Sequence, residues 1–130
     1  VIAGERLPTT VRNGHTSFDL ALEPGGGRLL VITSSPPGAM QLAAPASAKR
    51  GSVARFDITW PNADGIVAPF EVEIVDPAFR PADASGYYAA VDGQATVELD
   101  LAGNERTGVW RVTVLDRLHD DKQTAYFIVE

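Results

Sequence analysis

Read for the alternation of apolar and polar positions, the chain resolves into short β-strands, and no stretch predicts a helix of useful length. In residues 53–60, Ala54, Phe56, Ile58 and Trp60 take one face and Val53, Arg55, Asp57 and Thr59 the other, the two-residue period of a half-buried strand. Phe70, Val72 and Ile74 alternate with Glu71 and Glu73, and Asp76-Pro77 closes that strand because the residue before a proline is conformationally restricted. Ala95, Val97, Leu99 and Leu101 oppose Thr96, Glu98 and Asp100, while Trp110, Val112 and Val114 oppose Arg111 and Thr113. A last strand follows over residues 123–129. These phases predict one core built from Phe56, Ile58, Val72, Ile74, Val97, Leu99, Trp110, Val112 and Phe127. Trp110 is its anchor, since an indole buries a large apolar area while its N–H still needs a partner.

Turn chemistry sets the connections. Asp92-Gly93 joins residues 86–91 to 94–101, and Asn13-Gly14 joins residues 7–12 to 15–22, both pairs suiting the positive φ angles of a tight hairpin. In the second of these runs Phe18, Leu20 and Leu22 share a face, and after Glu23 to Gly27 the residues 28–33 read as an apolar strand covered on both faces. Leu118 to Lys122 turns the Trp110 strand into the last one. Met40 and Leu42 begin a short edge strand that Pro45 interrupts.

Ser34-Ser35-Pro36-Pro37-Gly38 is punctuation rather than structure. It divides the chain into residues 1–37, the terminal strands of a preceding β-domain, and residues 38–130, an antiparallel β-sandwich of about seven strands. The fold class is therefore all-β, with an N-terminal hairpin or three-strand segment added to the sandwich. A lone hairpin is marginal in water, so residues 1–37 are expected to borrow burial from the sandwich, a sheet edge or a second copy of the chain.

Several of these stretches resemble known modules. Lys49-Arg50-Gly51 ahead of a strand, Val75-Asp76-Pro77, and Leu101-Ala102-Gly103-Asn104 leading to Gly108-Val109-Trp110-Arg111-Val112 resemble the immunoglobulin-like, macroglobulin-type repeats of bacterial extracellular proteins over residues 39–130. Residues 17–33 are similar to the closing hairpin of the small β-domain that follows the catalytic domain in many glycoside hydrolases. Together the resemblances imply the C-terminal part of a large secreted or cell-surface, glycosidase-like protein with an immunoglobulin-like module appended, the periplasm being another compartment compatible with them. They carry no catalytic residue onto this chain. The implied role is a non-catalytic accessory or spacer module whose partners are other domains of the parent chain. The alternative is a module that binds carbohydrate or protein.

Composition narrows the picture. At 130 residues the chain can bury a core without cross-links, and it has no cysteine for disulfides, thiolate metal sites or thiol nucleophiles. A formal charge of −6 argues against a nucleic-acid partner, which calls for a basic face. No apolar run reaches the ~20 residues of a membrane span. Residue 1 is Val rather than Met, and the expectation is of a piece of a longer or processed protein.

Candidate chemistry is sparse, and no catalytic residue, cofactor or metal is expected. His15 and His119 sit beside separate hairpin turns, so a shared metal would require the two tips to meet. Asn62 and Asp64 before Gly65, and His119-Asp120-Asp121, could offer oxygens to calcium but lack the spaced ligands of a calcium loop, and both read more simply as solvated turns. The acid pairs Glu71/Glu73 and Glu98/Asp100 lie on outward strand faces, with no feature predicting a cleft between carboxyls. Exposed rings are the remaining prospect, and the candidate binding residues are Tyr87, Tyr88 and Tyr126. Neighbouring tyrosines on a strand point to opposite faces, so one of Tyr87 and Tyr88 should be outside the core.

Overall fold

The computed structural model describes residues 6–28 and 30–130 and is all-β. A small hairpin of β1 (Thr10–Arg12) and β2 (His15–Ser17) precedes eight strands: β3 (Gln41–Ala43), β4 (Ser47–Ala48), β5 (Val53–Thr59), β6 (Val67–Val75), β7 (Gly86–Val91), β8 (Gln94–Asp100), β9 (Gly108–Asp116) and β10 (Lys122–Val129). Their hydrogen-bonded order is β3-β5-β8-β7-β6-β9-β10-β4.

This one ladder folds into two layers. β7 and β8 pair only at Val91 and Gln94, beside the Asp92-Gly93 turn, whereas β5 and β8 pair along their whole length. One layer is thus β3-β5-β8 and the other β7-β6-β9-β10-β4. The first strand is split between them: Pro45 breaks the run after β3, and the chain resumes as β4 on the far edge of the second layer, parallel to β10. That parallel pair is the exception in an otherwise antiparallel arrangement.

All nine residues of the expected core are buried, and Met40, Trp60, Phe70, Val114 and Val129 join them. Rings bridge the layers, with Phe56 edge-on to Phe127 at 5.2 Å between centroids and Trp60 tilted on Phe70 at 5.4 Å, separations at which aromatic pairs add to simple area burial. The Asp92-Gly93 turn adopts positive φ at both residues, 53° and 69°, as its type requires. Gly93 is also needed sterically, because a Cβ there would collide with the Trp60 carbonyl oxygen while its own carbonyl accepts the Trp60 N–H at 2.8 Å.

The two tryptophans mark opposite poles. At the near pole, where residue 38 arrives and Gly38 N–H donates to the Pro61 carbonyl, the Trp60 indole reaches the end of β9. At the far pole Trp110 Nε1–H donates to the Arg106 carbonyl at 2.8 Å, and Glu130 lies beside Ala48 and Arg50. The nine residues of β9 run between them, about 30 Å at the usual rise of a strand.

The first segment differs from expectation. Pairing at Asn13-Gly14 is as expected, but β2 ends at Ser17 and the residues from Phe18 to Leu22 form no strand. Nor do residues 28 and 30–33 form a covered strand: Val31 is exposed and Ile32 is 86% exposed. Leu29 lies outside the described residues. The physical reason is the missing partner: no strand pairs with the described residues of this run, which lies only against Ile66, Val67 and Pro69, and backbone that finds no ladder stays irregular.

Candidate functional site

The three tyrosines do not form one site. Tyr87 and Tyr88 do face opposite ways: Tyr87 is 78% exposed, while Tyr88 is half-buried, stacks on Phe70 at 5.6 Å and donates its hydroxyl to the Ala84 carbonyl at 2.7 Å. Tyr88 is thus a core-edge residue. Tyr126 shares the outer face of the second layer with Tyr87 and is 64% exposed. The register aligns Tyr87 with Glu71, Leu115 and Lys122, which leaves Tyr126 three strands across and four residues along. That is a separation on the order of 20 Å, too far for one sugar ring to touch both.

Of the acid pairs, Glu71, Glu73 and Glu98 are each held by an arginine rather than aimed into a cleft, and Asp100 is exposed. Glu71 pairs with Arg117, Glu73 with Arg111 at 3.1 Å and Glu98 with Arg55 at 3.0 Å. His15 is exposed on β2. His119, Asp120 and Asp121 are exposed at the β9–β10 turn, as expected of a solvated tip, and His119 Nδ1 also lies 2.7 Å from Oδ2 of Asp116.

Asp116 is the one fully buried carboxylate among the described residues, at 0% exposure. Oδ2 also accepts the Trp60 indole N–H at 2.9 Å, and Oδ1 accepts the Leu118 N–H at 2.7 Å. A carboxylate stripped of water must be met by donors, and here they come from the end of β5 and from the β9–β10 turn. Chemically this is the orienting half of a general-base relay, but no hydroxyl hydrogen-bonds to His119 among the described residues. Its evident effect is to pin the near pole. No sequence rule pointed to it, because Asp116 falls on the inward phase of β9, where an apolar residue is expected, and its partners Trp60, Leu118 and His119 are 56, 2 and 3 positions away.

The far pole holds a second cluster that the sequence did not advertise. Asp76, with 8% of its side chain exposed, accepts the backbone N–H groups of Ala78 at 2.7 Å and Arg80 at 2.9 Å through Oδ1. Oδ2 meets Arg80 Nε at 3.1 Å and Arg106 Nε at 3.5 Å. The Arg80 N–H chiefly, with the Ala78 N–H and the Arg80 guanidinium, holds the Asp76 carboxyl below its ordinary range against the opposing effect of burial. The turn so fixed carries Phe79 at φ 60°, the left-handed region a bulky residue seldom occupies, with its ring 78% exposed.

Among the described residues no three histidine or acidic side chains gather where a metal could sit, and no helix is long and apolar enough to cross a membrane. No family model matches the chain, and no curated protein matches it.

Proposed function

We propose that the chain acts as a non-catalytic spacer or accessory module of a larger secreted or cell-surface protein, with residues 38–130 as an immunoglobulin-like sandwich and residues 1–37 as strands belonging to a preceding β-domain. The observation that carries this reading is the placement of the chain at opposite poles: residue 38 arrives beside Pro61, and Glu130 lies beside Ala48 and Arg50. A module whose chain enters at one pole and reaches the other sets a fixed distance between its two ends, as suits a spacer. The immunoglobulin-like reading is supported by the order of the strands and by a first strand that crosses from one layer to the other. Carboxylates neutralised by arginines on flat sheet faces suit a scaffold.

A binding role is favoured by one specific observation, the exposed Tyr87 ring on the edge strand of the second layer. Calorimetric titration of the chain against a panel of neutral and acidic oligosaccharides tests the choice. Flat responses are expected for the spacer, whereas binding that Tyr87→Ala abolishes would replace it with the binding module. Hydrolysis of any of these glycans that a point substitution in this chain removes would overturn both.

A further inference from the structure

The poles of the sandwich carry surfaces of opposite shape. The far pole bears a knob: Phe79, exposed and held in a strained backbone conformation, makes no use of its ring within the chain's own core. Asp76 fixes its turn, and Phe79 N–H donates to the Asp76 carbonyl at 2.9 Å. Two guanidiniums, those of Arg80 and Arg106, share the single oxygen Oδ2 of Asp76, which leaves one positive charge in excess at the base of the ring. The other acids of these loops, Asp83 and Glu105, pair with neither arginine. Strain kept at an exposed aromatic is the pattern of a contact residue rather than a fold residue.

The near pole bears a groove. Leu30, Val31 and Ile32 run beside Ile66, Val67 and Pro69, and both Ile32 and Val67 are exposed. The lining side chains are apolar, and Gly65 adds backbone to the floor. Asp64 and Asp92 are exposed at the adjoining turns, with Asp92 fixed at the rim by the Gly65 N–H at 2.8 Å. Neither is in an ion pair among the described residues; the cations nearby are Arg28 in sequence and Arg117, whose backbone N–H donates to the Pro69 carbonyl and whose guanidinium pairs with Glu71.

We propose that Phe79 of one copy seats in the groove between residues 30–32 and 66–69 of a second copy, with Arg80 and Arg106 facing Asp64 and Asp92, so that the chain associates head to tail. An aromatic knob collared by guanidiniums meets an apolar groove rimmed by carboxylates, and the two lie at opposite ends of β6, too far apart to meet in one molecule. Such a contact is heterologous and repeats along a line. It does not depend on the spacer reading, and that reading stands if the contact fails.

Sedimentation velocity of the full chain from about 10 µM to about 1 mM tests it, a range suited to a contact smaller than a standard interface. The expected result is an average mass that rises with concentration and falls back with added salt. Phe79→Asn, which suits the left-handed conformation and should not lower the melting temperature, and Ile32→Asp should each weaken association at least tenfold. An equimolar mixture of the two should form a dimer that grows no further, since each retains one intact half of the contact. A mass that stays monomeric across the range overturns the proposal. So does self-association that neither variant changes, which would place the contact elsewhere.

Discussion

At the scale of single residues, two tryptophans and two aspartates tie the poles together, and each makes a measurable claim. Trp110 is buried with its N–H satisfied, so Trp110→Ala should lower stability by about 3–5 kcal/mol in denaturant melts; a loss below about 1 kcal/mol would contradict its place in the core. Asp116→Ala removes the acceptor of the buried Trp60 Nε1–H and of the part-buried Leu118 N–H. At about 1–3 kcal/mol for each orphaned group, it should be among the most damaging single changes. Trp60→Phe keeps the ring and removes one of those donors, so the double variant should lose less than the sum of the single ones; strict additivity would separate the two residues. Asp76 gives the pH dependence. Its folded-state carboxyl titrates below the unfolded one, so its contribution is complete above the unfolded value, near 3.9, and is lost as pH falls through the folded value. Melting temperatures followed from pH 6 downwards should fall more gently at the acid end in Asp76→Asn than in the natural chain. Parallel curves would contradict the assignment.

At the scale of elements, the legible parts of the fold were those in which local pattern and global burial agree. The strands β5, β6, β8, β9 and β10 alternate cleanly because each has one face on the core and one in solvent, and the Asn13-Gly14 and Asp92-Gly93 pairs specify their turns through backbone φ alone. Residues 28–33 misled because apolar composition states only that cover is wanted, not that the chain supplies it. The layer-crossing first strand was half visible, in Pro45, while the pairing of β4 with β10 depends on contacts some 80 residues apart. Phe79 and Asp116 were illegible for the same reason: left-handed backbone at a phenylalanine and a carboxylate on an inward phase both contradict local preference and are stabilised only by distant partners. Backbone amide exchange checks the element-scale account. Amides in the ladders of β5, β6, β9 and β10 should exchange slowest and those of β1 and β2 near the unprotected rate, and protection of the Thr10–Ser17 hairpin comparable to β9 would show that it is covered.

At the scale of the whole molecule, the buried core begins at Met40 and closes on itself through Val129. The described part of residues 1–37 contributes nothing to the buried cluster, and β1 and β2 pair only with each other. Of the edge strands, β3 and β4 are short and β8 carries Glu98 and Asp100, features that discourage unplanned sheet growth, whereas β7 is six residues long and uncharged. The most direct measurement is equilibrium urea unfolding of residues 38–130 beside the full chain, followed by tryptophan fluorescence, since Trp60 and Trp110 report on the two poles. The shortened chain should show a single cooperative transition, with a denaturant dependence per residue at least that of the full chain and a midpoint close to it. A shortened chain that is unfolded without urea, or whose two poles melt apart, would contradict this and make the first 37 residues part of one larger sandwich.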